Sequence, residues 1–315
     1  MSLYRKKIFI ASKAIFTNII AMCFPSLYEK MHKETGRGKK TFDSDVTAKY
    51  FLKCFFEYFD TINISHTRIS NFLKGKNVLE YGPGDILGIP LLMYAYGADY
   101  VCCVDKFSLF KKTAEYENVY KYILDSLNED QKLRAKDAFI VYGDVRSGFD
   151  KNKINYIVKK NGFINEKNLF DFIISRAVLE HVNNLEMTFN DIYESLKKYG
   201  LSVHLVDLKS HNLDLEYDLD FLTWHPFLYN IMYNQKGYPN RFRINKYEEE
   251  IQKNGFYNPI LFPTEKLDEQ CIDTIRHKFA KPFRDLSSEE LSWLGFWMVL
   301  SKSDVDIEAT FVNQV

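Results

Sequence analysis

"NFLKGKNVLEYGPGDILG", residues 71–88, decides how the rest of the chain is read. A short apolar run ends on Glu80 and breaks into a turn carrying Gly82 and Gly84, with Gly88 opening the next segment. A strand that runs into a glycine turn and then a helix leaves unpaired N–H groups beside a ligand. Gly82 and Gly84 let the backbone come close to that ligand, and Gly88 is expected to let the helix pack tightly on the sheet. The spacing is G-x-G-x-x-x-G, one residue longer than the dinucleotide fingerprint. The loop alone therefore does not choose its ligand.

Outward from the loop the pattern alternates between strand and helix, which predicts an open α/β sheet. "NVLEYG" (77–82) reads as the first strand, and "IPLLMYAYG" (89–97) as a helix closed by Gly97. "YVCCVD" (100–105) is apolar almost throughout, as a strand covered on both faces requires. A helix from about Leu109 to Asp125 is followed by "AFIVYGD" (138–144) as the third strand and an insertion rich in lysine and asparagine. "FDFIISRAVLEHV" (170–182) reads as a strand running into a loop, "NLEMTFNDIYESLKKYG" (184–200) as a helix stopped by Gly200, and "SVHLVDL" (202–208) as the fifth strand. After an irregular, aromatic stretch, "INKYEEEIQKNG" is a helix, and "FYNPILF" and "WLGFWMVLS" make a closing pair of strands. The expected fold is a seven-stranded, mostly parallel Rossmann-like sheet with a terminal antiparallel hairpin. Residues 1–70 are expected to form a helical cap on a domain spanning 71–315, with a lid-like insertion at about 209–243.

The 315 residues are 46% hydrophobic and 16% aromatic, ample for a large core. Lys plus Arg and Asp plus Glu both number 42, so no global field draws the protein to nucleic acid. The five cysteines form no CxxC pair, and the adjacent Cys102 and Cys103 read as buried thiols in a reducing, cytoplasmic setting. "LYRKKIFIASKAIFTNIIAMCF" near the start is too polar to span a bilayer. Three readings stay open for it: a helix packed on the domain, a helix lying on a membrane through Arg5, Lys6 and Lys7, or a cleaved signal. The same aromatic segment is as compatible with a homodimer contact as with a substrate lid.

The acids discriminate better than the glycines. Asp105 ends the second strand, 21 residues after Gly84, where a carboxylate takes the hydroxyls of an adenosine ribose. Glu80 precedes the turn, where its charge suits an ammonium or sulfonium and not a pyrophosphate. Asp144, at the end of the expected third strand, is placed for the exocyclic amine of adenine. An acid-lined pocket for adenosine and a cation describes S-adenosylmethionine.

"VLEYGPGDILG", "VCCVD", "YGD" and "FDFIISRAVLEHV" together resemble the class I S-adenosylmethionine-dependent methyltransferases, over roughly residues 71–300. The resemblance implies cofactor binding by Glu80, Gly82, Gly84, Asp105 and Asp144, and a terminal hairpin that a dehydrogenase lacks. "HLVDLKSH" followed by "YPNRFRINKYEEEIQKNGF" is similar to bacterial members found with polysaccharide or small-metabolite pathways.

A sulfonium methyl is already activated, so catalysis needs alignment and a base for the acceptor's proton. His181, just past the fourth strand, and Asp207 with His211, after the fifth, are the expected catalytic residues. His204, inside the strand, reads as a hydrogen-bonded core histidine. Arg241 and Arg243 are candidate clamps for an acceptor phosphate or carboxylate, and Trp224 and Tyr229 candidate faces of a lid. Glu180–His181 resembles part of an E-x-x-E-H metal motif of two family branches, but Ala177 stands at its first position, so no metal is expected. The expected acceptor is a small polar molecule, with a sugar hydroxyl first and a nitrogen, lipid or quinone as alternatives. An NAD-dependent oxidoreductase or a non-catalytic scaffold on the same fold would be readings of a different class.

Overall fold

The computed structural model describes residues 3–24, 27–28, 42–211 and 217–305. Most of the polar stretch 32–45 and part of the insertion, 212–216, lie outside the described residues. Seven strands form one sheet: β1 (Asn77–Tyr81), β2 (Tyr100–Asp105), β3 (Ile154–Val158), β4 (Phe170–Arg176), β5 (Leu196–Asp207), β6 (Tyr257–Lys266) and β7 (Trp293–Ser301). Their order is β3-β2-β1-β4-β5-β7-β6. The first five pair in parallel, and β7 enters antiparallel between β5 and β6. The order reverses beside β1, and ligands of open α/β sheets bind at the carboxyl ends of strands next to such a switch.

One face of the sheet carries α2 (Ser44–Thr61), α4 (Gly88–Ala95), α5 (Ala114–Ser126) and α6 (Glu129–Asp137), preceded by the short α3 (Ile69–Leu73). Phe51, Phe55, Leu91, Ile123, Val78 and Ile174 meet there in one core. The other face carries α7 (Leu185–Ser195) and α9 (Ile244–Asn254), with Phe189, Ile192, Tyr247 and Ile251 on Leu79, Ile173 and Met298. Side chains alternate along a strand, so the near-continuous apolar runs of β1, β2 and β4 follow from burial on both faces. A third cluster joins α1 (Leu3–Cys23) to α8 (Pro226–Tyr233), α10 (Glu269–Ile275) and α11 (Ser288–Ser292), through residues such as Ala14, Phe221, Met232 and Leu291. Among the described residues no helix is long and apolar enough to cross a membrane.

Three sequence expectations are corrected. The third strand is "INYIV", not "AFIVYGD": Ile140, Val141 and Tyr142 are 65%, 56% and 58% exposed, and only a Phe139–Phe149 bridge forms there. Ile154 is buried and pairs with Val101, so β3 takes the open edge of β2 with Val158 beside Asp105. The helix read as 184–200 stops at Ser195, and β5 begins at Leu196, which pairs with Phe170. Gly200 is thus a strand residue, and a Cβ there would press on the Asp171 carbonyl at 3.1 Å. Gly88 does serve tight packing, but on a helix: a Cβ would collide with the Phe51 ring of α2.

Candidate functional site

β1 delivers Glu80 to the glycine turn, and β2 delivers Asp105 beside it. Counting alternate residues from Val78 and Val101 puts both on the α2 face. Gly82 (φ +62°) and Gly84 (φ +78°) sit in the left-handed region that favours glycine. An added Cβ on Gly84 would meet open space, whereas one on Gly82 would lie 2.5 Å from Val178 Cγ2. Gly84 therefore keeps a ligand's approach clear, and Gly82 admits the loop after β4. The turn is held from α5: Tyr116 Oη donates to Asp85 Oδ2 at 2.5 Å, and the Leu87 N–H donates to Tyr120 Oη at 3.0 Å.

Glu80 and Asp105 are buried, and each keeps one carboxylate oxygen with no partner, Oε2 and Oδ2. Burial, then the Asp105 charge, pushes Glu80 up to about 8. Burial lifts Asp105 to about 6, against the N–H groups of Phe107, Lys106 and Gly84. Two desolvated acids with unsatisfied oxygens form a site that gains most from a cation and from hydroxyl donors. These residues fit S-adenosylmethionine. Tyr58 of α2, which the sequence reading missed, adds a buried hydroxyl that also lacks a partner and feels the Glu80 charge.

Asp144 does not join them. With no strand ending there, it caps one turn at Val145–Ser147 and takes the Arg146 N–H and Nε at 3.1 and 3.0 Å. The loop that follows the true β3 contains Asn161, Gly162 and Phe163 instead. Buried Asp191 of α7 anchors it, accepting from the N–H of Ile164 and Asn165 at 2.7 and 2.8 Å and from Tyr81 Oη at 2.7 Å.

Beyond β4 the chain turns at Ala177, whose φ of +52° is left-handed, and winds through Leu179–His181. The turn brings His181 to His211, with ring centroids 4.9 Å apart. His211 Nε2 lies 3.2 Å from Asp207 Oδ2. The three expected catalytic residues are thus brought together. Glu180 joins them, fully buried, with neither carboxylate oxygen hydrogen-bonded and Oε1 3.9 Å from His181 Nε2, and burial raises it well above the carboxylate range. Burial, then His211, lowers His181 to about 4, so its imidazole is neutral at physiological pH, and its Nδ1 has no partner. Burial would raise Asp207, but hydrogen bonds from His211 and the Lys209 N–H carry it below its ordinary value. Glu180, His181 and His211 offer donor atoms within 4.8 Å of one another, a geometry that can hold a metal ion. The set is two nitrogens and one carboxylate, which suits a zinc-like ion better than magnesium.

The remaining candidates do other work. Arg241 is buried between the Tyr229 and Phe283 rings and donates Nη1 to the Trp224 carbonyl at 2.7 Å and the Phe221 carbonyl at 3.3 Å. Arg243 donates to the carbonyls of Leu208, Leu291 and Trp293. Arg241 ties the insertion to itself and Arg243 ties its end to β5 and β7, leaving only a buried Arg243 Nε without a partner, so neither fork is open to an acceptor. Trp224 and Tyr229 are core residues of the third cluster, and Tyr229 Oη donates to the Pro239 carbonyl at 2.8 Å. His204 is the satisfied core histidine expected, between Ser175 and Ser202. Cys102 and Cys103 are buried, as read.

The unanticipated cation is Arg176, at the end of β4. It pairs with Glu57 Oε2 at 2.5 Å and lies over the Trp297 ring at 5.7 Å, while its buried Nη1 has no partner. Its signal in the sequence was faint, because only the parity of β4 puts it on the Glu80 face.

A model of a methyltransferase domain family matches residues 63–258. Among solved structures, the chain is similar to an S-adenosylmethionine-dependent methyltransferase from Mesorhizobium loti (15% identity, 72% of this chain and 91% of that one covered, TM-score 0.39). It is also similar to a phosphoethanolamine N-methyltransferase from Haemonchus contortus bound to phosphomonomethylethanolamine and S-adenosylhomocysteine (16% identity, 85% of this chain covered, TM-score 0.42). This chain spans 61% of that one. Neither likeness speaks to the acceptor. No curated protein matches the sequence.

Proposed function

The chain belongs to the S-adenosylmethionine-dependent methyltransferases, and from that premise we propose that it methylates a hydroxyl of a small polar acceptor, a sugar or related metabolite. The observation that carries this reading is the group formed by neutral His181 and the His211–Asp207 pair beyond β4 and β5. The interlock of Gly82 with Val178 sets that group beside the cofactor turn.

The cofactor supplies a methyl on a positively charged sulfur, so the chain must align the acceptor oxygen and remove its proton. Glu80 faces the cationic end and Asp105 the ribose, while the loop after β3, tied to the Asp105 carbonyl by the Lys159 N–H, borders the adenine edge that the sequence reading gave to Asp144. An acceptor hydroxyl needs a base as its oxygen bonds to carbon, and a neutral imidazole is one. Asp207 holds the His211 tautomer and stabilises the imidazolium formed when it takes the proton. Arg176, through its unpartnered Nη1, receives a phosphate or carboxylate of the acceptor. This is the part first read into Arg241 and Arg243.

The test is transfer of labelled methyl to a panel of free sugars, nucleotide-linked sugars and amines. Label in a sugar hydroxyl, lost in His211→Ala while S-adenosylhomocysteine still binds, is the expected result. Label only in amines would move the reading to nitrogen transfer.

A further inference from the structure

Helix α1 has two apolar faces, and the protein covers one of them. Ile10, Ala11, Ala14, Ile15 and Asn18 turn inward onto α8 and the third core cluster. On the opposite side Ile8, Phe9, Phe16 and Ile19 are 50%, 63%, 64% and 50% exposed. At 100° per residue these four, with exposed Arg5, Lys6 and Lys13, fall on the arc away from the core. Phe24 and Leu27 extend the exposed apolar surface past the helix end, and Phe227 on α8 is 70% exposed. An aromatic stripe of this size is costly to leave in water.

The charges say what covers it. The helix "LYRKKIFIASKAIFTNIIAMC" contains four basic residues and no acid. Lys7 is turned inward, donating to Thr223 Oγ1 at 3.3 Å, so the positive charge the proposal draws on at the outer arc is that of Lys6 and Lys13. A second copy meeting this face about a twofold axis would set like charges beside like. An anionic lipid surface matches both the aromatic stripe and its basic flank.

We propose that the outward face of α1 seats the protein on an anionic lipid bilayer, with Phe9, Phe16, Ile8 and Ile19 in the acyl boundary and Lys6 and Lys13 at the headgroups. The helix lies in the interface and does not cross it, as its length and polarity require. This surface is independent of the acceptor and does not rest on the hydroxyl reading.

The experiment is co-sedimentation of the full chain with vesicles of phosphatidylcholine alone or mixed with phosphatidylglycerol. The expected result is binding to the mixed vesicles that weakens with salt. Each lysine near an anionic surface is worth about fivefold, so Lys6→Gln/Lys13→Gln should partition about twenty-five-fold more weakly. Phe9→Ser/Phe16→Ser should lose binding, and both variants should bind S-adenosylhomocysteine like the parent, which shows that they fold. Two outcomes overturn the proposal. One is a parent protein that binds S-adenosylhomocysteine yet stays in solution with the mixed vesicles. The other is a dimer in solution that Phe9→Ser/Phe16→Ser converts to monomer, which would make a second copy the occupant.

Discussion

Val178 Cγ2 fills the space a Cβ on Gly82 would need, 2.5 Å from that position. The glycine turn after β1 and the loop carrying Glu180 and His181 are therefore in register through one missing methyl group. The spacing of glycines in the sequence marks the turn but does not reveal its partner.

Gly82→Ala should destabilise the protein by about 2–4 kcal/mol, combining the left-handed φ with overpacking. Adding Val178→Ala should recover the packing part and leave the backbone part. Thermal melts of the two single variants and the double variant form the cycle. Strict additivity would show that the two loops do not bear on each other.

The two buried acids make the unliganded fold sensitive to pH. Glu80 sits at about 8 against an ordinary 4.5, and Asp105 at about 6 against 3.8. For acids raised in the fold, stability is whole below the unfolded values and is lost as pH climbs toward the folded ones. Between pH 5 and 8.5 the melting temperature should fall, on the order of 5 °C from these groups. S-adenosylhomocysteine should reduce the fall. Glu80→Gln should flatten it and stabilise the unliganded protein, while Asp105→Ala should bind S-adenosylhomocysteine about tenfold or more weakly.

Asp207→Asn should lower kcat by about 10²–10⁴ with S-adenosylhomocysteine affinity unchanged. An acid limb of the rate profile should lie near pH 4, where His181 gains a proton and sets a positive charge beside the base His211. The limb should vanish in His181→Gln. A chelator should leave the rate as it was. A loss restored by zinc or manganese would reassign the three donors beyond β4 and β5 as ligands.

The arginines should separate cleanly. Arg243→Ala leaves the carbonyls of Leu208, Leu291 and Trp293 without their donor and should cost about 3–5 kcal/mol of stability. Arg176→Lys keeps the charge but loses the planar fork. It should raise the acceptor KM about tenfold or more, with little change in melting temperature.

The sheet with its closing hairpin was legible, and so was the convergence of Glu80 and Asp105 at the ends of β1 and β2, because burial on both faces writes itself as apolar runs; the helix Glu129–Asp137 was not read. β3 was not legible either. "INYIV" is short and set among lysines and asparagines, while Ile140, Val141 and Tyr142 of the apolar "AFIVYG" next door are exposed, and that exchange misplaced Asp144. Arg241 and Arg243 looked like ligands because a sequence shows charge but not the carbonyls that consume it. The histidine group was legible in part: residues 181, 207 and 211 stood at strand ends, but Glu180 became notable only once its burial and its unpartnered oxygens were seen.

Lys236 Nζ donates to the Ala14 carbonyl and to Thr17 Oγ1, and the Asn18 side chain bonds the Ile231 carbonyl and the Gln235 N–H. A few residues on, Asn240 bonds the carbonyls of Leu179 and Val182, on either side of His181. The first helix and the loop that carries His181 are thus both bonded to one segment, residues 231–240. Linkage then works both ways: by whatever factor a surface tightens acceptor binding, the acceptor must tighten the hold on that surface.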